Sequence, residues 1–239
     1  IVTVSPTPDV SSDQLSYAIC SGSATNIVLS NPNGVTGTTY SWTASVTTGV
    51  VSGSSSGSGG VISQTLSSVA GGTVEYTITP IANGCSGTPI VREVTVDPIP
   101  DLGVSPAAET ICNLGTTNIT LSNPNGAGDG YYWTVVMSGL SGAVNEGSAA
   151  IPVAGPIGQM LTLDDAAVGG TATYTIYSVN SVTGCESLSK EVIVTVSPTP
   201  DVSSDQLSYA ICSGSATNIV LSNPNGVTGT TYSLSLIHI

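Results

Sequence analysis

The sequence predicts an all-β chain built as tandem antiparallel β-sandwiches, each of two packed sheets. Three observations predict this. Apolar and polar residues alternate with period two along many short segments bounded by Gly, Pro, Asn and Ser, as strands with one dry and one wet face require. The chain repeats itself with periods of 92 and 100 residues, the length of one sandwich and not of a solenoid turn. Ser, Thr, Gly and small aliphatics dominate and Phe is absent, which suits strands and turns better than long helices.

The repeat is carried by ordered matches. Residues 1–41 recur unchanged as 193–233, and a weaker copy lies between. Pro-x-Pro-Asp stands at Pro6, Pro98 and Pro198, and each Asp (Asp9, Asp101, Asp201) is followed eleven residues later by a cysteine, Cys20, Cys112 or Cys212. The turn Asn-Pro-Asn-Gly begins at Asn31, Asn123 and Asn223. Tyr40-Ser41-Trp42 matches Tyr131-Tyr132-Trp133, Gln64-Thr65-Leu66 matches Gln159-Met160-Leu161, Tyr76 matches Tyr174, and Gly84-Cys85 matches Gly184-Cys185. This divides the chain into residues 1–8, the last strand of a preceding repeat plus a linker; 9–97, repeat one; 98–197, repeat two; 198–233, a third repeat cut short; and 234–239. The last six residues, Leu234-Ser235-Leu236-Ile237-His238-Ile239, resemble a translated sequencing-adapter end and are set aside from fold reasoning as a scar.

In repeat one the strand candidates are 10–12, 25–30, 38–46, 61–66, 73–81 and 90–96. Val74, Tyr76 and Ile78 share one face of their strand, and Glu75, Thr77 and Thr79 the other. Trp42 and Trp133 sit mid-strand. With no Phe in the chain, each repeat needs its Trp for core volume, so both are read as core aromatics along with Tyr76 and Tyr174, against the alternative of sugar-stacking tryptophans. Residues 53–60 read as a flexible loop tip, replaced in repeat two by 138–158. These two loops differ most between repeats and are where a ligand would be sought. The Pro-x-Pro linkers favour an extended geometry and act as semi-rigid spacers. The third repeat keeps its first strands but has no counterpart of Trp42, so poor packing is expected there.

Each complete repeat holds two cysteines, Cys20 with Cys85 and Cys112 with Cys185, and C-x-x-C is absent, which removes the usual zinc and redox signatures. Disulfides within each repeat would contribute about 4 kcal/mol each on the chain-entropy model and require an oxidising compartment. Against them, the two cysteines of a repeat fall at opposite ends of a strict two-sheet topology, too far apart to bridge. Buried or free thiols are the alternative.

Charge narrows the function classes. Two cations against 15 carboxylates leave a formal net charge of -13, which excludes neutralising a nucleic-acid backbone and disfavours anionic lipid. Mean hydropathy is +0.32, yet no apolar run reaches 18 residues, so no membrane insertion is expected. His238, the one histidine, lies in the set-aside tail, so no Ser/His, Cys/His or His-metal constellation can form. Asp164-Asp165 would point to opposite faces of a strand and so do not make a catalytic pair. Asp9, Asp13, Asp97, Asp101, Glu109, Asp201 and Asp205 gather near the linkers. Calcium is the sharper reading and solvated acidic caps the plainer one, since the spacing lacks an EF-hand pattern. The expectation is therefore no catalytic residue, no cofactor and no metal, with calcium the exception considered.

Ile19-Cys20-Ser21-Gly22 with Thr25-Asn26-Ile27, then Tyr40-Ser41-Trp42, Asn83-Gly84-Cys85, and Val94-Thr95-Val96 before Pro98, resembles the PKD-like (Ig-like) repeats of very large secreted bacterial surface proteins. The resemblance spans nearly all of residues 1–233. The Trp-Asp-Phe-Gly-Asp-Gly signature of ordinary PKD domains is missing, and Thr43 follows Trp42, which places the chain in the PKD-like branch. The resemblance implies an extracellular or cell-surface location, by type IX secretion in many such proteins. It also implies a non-catalytic role as a stalk or adhesion segment, whose partners are neighbouring repeats, surface glycans or other cell-surface proteins. The competing expectation is a set of carbohydrate-binding accessory repeats of a secreted multidomain hydrolase. An exposed aromatic row would support that, and burial of Tyr40, Tyr76, Tyr131 and Tyr174 would count against it.

Overall fold

The structure is a computed structural model that describes residues 4–235. Residues 1–3 of the expected leading strand, and 236–239 of the expected scar with His238, lie outside the described residues. Among the described residues every regular element is a strand. In the first module these are β1 (Ser11–Ser12), β2 (Ser16–Cys20), β3 (Ser23–Ala24), β4 (Ile27–Ser30), β5 (Thr39–Gly49), β6 (Gly57–Ser58), β7 (Val61–Ile62), β8 (Thr65–Leu66), β9 (Gly72–Ala82), β10 (Cys85–Ser86) and β11 (Ile90–Asp97). One sheet holds β1, β4 and β7, with β3 pairing β8 alongside. The other runs β2-β11-β9-β5-β6, with β10 folded back on β9.

The chain changes sheet between β1 and β2. Asp13 organises the crossing: its carboxylate accepts the Val28 N–H at 3.1 Å and the Tyr17 hydroxyl proton. The Tyr17 bond holds the Asp13 carboxyl below the ordinary carboxylate range. β2 then lies parallel to β11, with Tyr17 beside Val94 and Cys20 beside Asp97. Alternation did not predict β2, because only Tyr17 of its five residues is buried and a single dry position is no period. Two predicted strands are broken. Segment 25–30 is interrupted by Asn26 at φ 49°, and segment 61–66 by residues 63–64, where Gln64 turns inward.

The second module repeats the plan with β12 (Gly103–Ser105), β13 (Ala108–Cys112), β14 (Thr120–Ser122), β15 (Gly130–Ser138), β16 (Leu140–Ser141), β17 (Thr162–Leu163), β18 (Gly170–Val179) and β19 (Lys190–Ser197). β13-β19-β18-β15 form its larger sheet, with β13 parallel to β19. β12 pairs β14, and β16 pairs β17.

Each module has its own core. Trp42 and Trp133 are 7% and 2% exposed and stand opposite Ile78 and Ile176 on the neighbouring strand. Tyr76 and Tyr174 are fully buried, which needs a partner for each hydroxyl. Tyr76 donates to Gln64 Oε1 at 2.9 Å and Tyr174 to Gln159 Oε1 at 3.1 Å. The backbone N–H groups of Gln64 and Gln159 donate to Thr25 and Thr117 Oγ1, whose hydroxyls donate to the Ile62 and Ile157 carbonyls. This Thr–Gln–Tyr chain ties the two sheets through the core, and it accounts for the matched Gln64 and Gln159.

The loops that differ between the modules are not free tips. Residues 53–60 fold back along β5: Gly57 pairs with Trp42, and the indole Nε1 donates to the Ser55 carbonyl at 3.2 Å. A Cβ at Gly57 would lie 2.8 Å from the Trp42 ring, so this approach requires glycine. Residues 138–158 cover β15 in the same manner, with Trp133 bridging Glu146 and Tyr131 bridging Val153. Both loops cap an edge strand whose backbone groups would otherwise face outward unpaired.

In the third segment, β20 (Ser203–Ser204) and β21 (Leu221–Ser222) pair in the register of β1 and β4. Residues 208–212, identical to β2 in sequence, form no strand. Ile27 is fully buried, while its counterpart Ile219 is 43% exposed.

Burial pushes the Tyr76 and Tyr174 hydroxyls up to about 12 from an ordinary 10. A group whose folded pKa is raised favours the fold fully below the unfolded pKa and loses that contribution as pH climbs through the folded one. Stability to urea is therefore expected to fall between pH 10 and about pH 12, with a late-ionising tyrosine population in the near-ultraviolet titration. A single tyrosine transition near 10 with the fold intact would contradict the buried placement. Trp133→Ala is expected to destabilise the second module by about 3–5 kcal/mol, read by urea unfolding, because it empties the centre of a packed core.

Candidate functional site: the joint between the modules

The Pro-x-Pro linkers are held, not loose. The second Asn of each Asn-Pro-Asn-Gly turn reaches the linker: Asn33 Nδ2 donates to the Thr7 carbonyl at 2.9 Å, Asn125 to Ile99 at 2.8 Å, and Asn225 to Thr199 at 2.7 Å. The same side chains of Asn125 and Asn225 accept the N–H of Asp101 and Asp201. The first Asn closes its own turn: Asn31 donates to the Val35 carbonyl and Asn123 to Gly128. Two motifs 24 residues apart in sequence, Asp101 and Asn125, are thus one clasp. Gly87, in the hairpin that carries Cys85, lies so close to the Pro8 carbonyl that a Cβ would stand 1.9 Å from it. The last hairpin of a module therefore sits against that module's own entry linker.

Cys20 is bonded to Cys185, with their Cα atoms 5.6 Å apart, and Cys85, Cys112 and Cys212 are free. The pairings expected within each repeat, Cys20 with Cys85 and Cys112 with Cys185, are not formed. Cys20 stands beside Asp97, just past the Val96–Gly72 row, while Cys85 stands beside Ala82 at the other end of β9. Ten residues of strand separate those rows, roughly 33 Å at ~3.3 Å per residue, against a reach of about 7 Å for a disulfide. The parallel strand β2 delivers Cys20 to the exit end of the first module, where the Ser21 N–H also bonds the Asp97 carbonyl at 2.8 Å. The hairpin after β18 delivers Cys185 to the entry end of the second. The joint therefore has two covalent straps, the linker 98–101 and the disulfide.

The hairpin of Cys185 is braced. Tyr132 stacks on Tyr177 with ring centroids 4.8 Å apart, and its hydroxyl donates to Glu186 Oε2 at 3.1 Å. Burial, with the Glu186 carboxylate adding to it, pushes the Tyr132 hydroxyl up to about 12. Repeat matching gave no sign of this pair, since Ser41 stands where the second module has Tyr132. Tyr17 and Tyr40 are buried and Tyr131 half-buried. Among the described residues no three His, Cys, Asp or Glu side chains gather as a metal site would need. The acidic residues act singly: Asp9 and Asp201 accept the next residue's N–H, Asp13 and Asp205 accept a tyrosine hydroxyl, and Glu109 accepts the Asn118 N–H.

The profile of the PKD-like domain family matches residues 17–100. Over those residues the first module is similar to a PKD-like domain. The match begins at Tyr17, in the strand that ends at Cys20, and ends in the linker. No curated protein matches the chain. Among solved structures, the fibronectin(III)-like modules of Clostridium thermocellum CbhA align over 80% of this chain and 95% of theirs, at 13% identity and a TM-score of 0.37. The chicken CNTN1 FN1-FN3 domains align over 91% and 85%, at 14% and 0.27. A protocadherin gammaB7 EC3-6 cis-dimer structure aligns over 91% and 59%, at 14% and 0.30. At these scores the alignments say nothing of binding or assembly.

Arg92 and Lys190 are the two tryptic sites, and each bonded cysteine lies in a different fragment. Thiol-blocked, urea-unfolded protein cut with trypsin should keep fragments 1–92 and 93–190 joined until a reductant is added. Pairing within repeats would release them without reductant. Cys20→Ser should release them as well.

Proposed function

We propose that this chain is a non-catalytic extracellular repeat segment, a stalk or adhesion module of a large bacterial surface or secreted protein, with residues 9–97 and 98–197 as its repeating units. The observation that carries the reading is the position of the disulfide. Each sandwich already buries a complete core, so neither needs the bond to close its own sheets. A bond at the joint restricts how one unit bends and twists on the next, which matters for reach and not for turnover. It also requires an oxidising compartment, as outside the cell. The net charge of -13 keeps such segments soluble and mutually repelling.

Load reaches the first unit through the ends of two adjacent parallel strands, β2 by way of Cys20 and β11 by way of Asp97. Two attachment points on neighbouring strands resist torsion in a way that one linker cannot. Type IX secretion fits the family resemblance and belongs to the same reading.

The competing reading is carbohydrate binding by accessory repeats of a secreted hydrolase. It would need open aromatic faces. Tyr40, Tyr76 and Tyr174 are buried in the cores, and Tyr132 and Tyr177 turn one face to each other.

Residual dipolar couplings of the two units are expected to fit one alignment tensor in the oxidised protein and to need two after reduction. Two tensors in the oxidised protein would overturn the stalk reading, and saturable binding on a glycan array would favour the competing one.

A further inference from the structure

Cys85 and Cys112 are unused halves of the same joint. Cys112 holds in the second module the place that Cys20 holds in the first: each ends a strand running parallel to the last strand of its module, beside Ser197 and Asp97 respectively. The next N–H along, Asn113 or Ser21, bonds that same strand end at 2.9 or 2.8 Å. Cys85 holds in the first module the place of Cys185, in the hairpin following Gly84 or Gly184. The Cys20–Cys185 bond shows what these two positions do when they meet across a joint. Cys112 is exposed and Cys85 half-exposed, each at a module end that has no partner cysteine facing it among the described residues.

We infer that the cysteines of this chain encode a head-to-tail ladder: Cys112 bonds the hairpin cysteine of a complete repeat placed after it, and Cys85 bonds the parallel-strand cysteine of a complete repeat placed before it. Every joint then carries a linker and a staple, and no repeat carries an internal disulfide. The partner is a repeat of the same design, recognised because the Pro-x-Pro clasp sets the two cysteines face to face before they react. Cys212, at the position of Cys20 and Cys112, belongs to the next joint in the same direction.

The chemistry is two-electron oxidation by a disulfide donor such as oxidised glutathione. The Cys112 thiolate attacks one glutathione sulfur, and a glutathione thiolate leaves. The hairpin thiolate of the next repeat then attacks the Cys112 sulfur, and the second glutathione thiolate leaves. Two protein thiols lose their protons and are oxidised to one disulfide, while one glutathione disulfide is reduced to two thiols.

The identity of residues 1–41 and 193–233 permits a seamless test. Replacing residues 234–239 by a copy of residues 42–97 completes the third repeat and supplies its hairpin cysteine. Folded under oxidised glutathione, thiol-blocked and cut with trypsin, this chain should keep fragment 93–190 joined to the fragment that follows it. Cys112→Ser should break that link, and Cys212→Ser should leave it. Native Cys112 should lose its reactivity to alkylating reagents on completion of the repeat. A link broken by Cys212→Ser, or a Cys112 that stays reactive, overturns the proposal.

The opposite graft guards against a third repeat that does not fold. A copy of residues 101–192 placed before Ile1 should bond its own parallel-strand cysteine to Cys85. Cys85 remaining free there overturns the proposal independently. The inference rests on the stalk reading of the joint, but the two fail separately, because the link between fragments 1–92 and 93–190 reports Cys20–Cys185 whether or not a graft is stapled.

Discussion

The parallel pairing of β2 with β11 is the constraint on which the joint depends. By crossing over and running alongside the last strand, β2 ends level with Asp97, one residue before the linker. β13 does the same beside β19 and ends level with Ser197. This course brings Cys20, near the start of its repeat, to face Cys185 of the next repeat. The place of the staple beside the linker follows from it.

The third segment shows what that pairing requires. Its sequence is that of residues 1–41, so propensity, turn chemistry and charge are identical. Bonds between near neighbours recur there: Tyr209 donates to Asp205, Asn223 to the Val227 carbonyl and Thr230 to the same carbonyl, as Tyr17, Asn31 and Thr38 do in the first module. The pairing of β20 with β21 also recurs. The counterpart of β2 does not form, and among the described residues no strand stands where β11 would pair with it. A strand with one buried side chain has little driving force of its own and needs a neighbour to bond its backbone.

The two complete modules solve one packing problem with different loops. Both need an edge strand covered at its tryptophan. The first uses a short glycine-rich return that lies on the indole. The second uses a longer segment that contributes Leu140 and Ala143 to its core. Composition alone reads such stretches as mobile tips, since Gly and Ser mark flexibility and close approach alike. What separates the two meanings is the ring beneath Gly57, and that is a tertiary fact. The Tyr132–Tyr177 stack escaped the sequence for a related reason: two residues 45 positions apart meet only because β15 and β18 pair in that register.

Alternation, composition and turn motifs determined the all-β class, the buried faces of the long strands and the burial of Trp42, Trp133, Tyr76 and Tyr174, because each is set by residues within a few positions of one another or by counting along the chain. The cysteine pairing was a different matter. The sequence supplied five cysteines and a true objection to bonding two within a repeat, yet it could not say which end of which module each would reach. That depends on the direction of β2 and on where the hairpin after β18 places Cys185. Both are relations between distant segments, settled only when the sheets close around their cores.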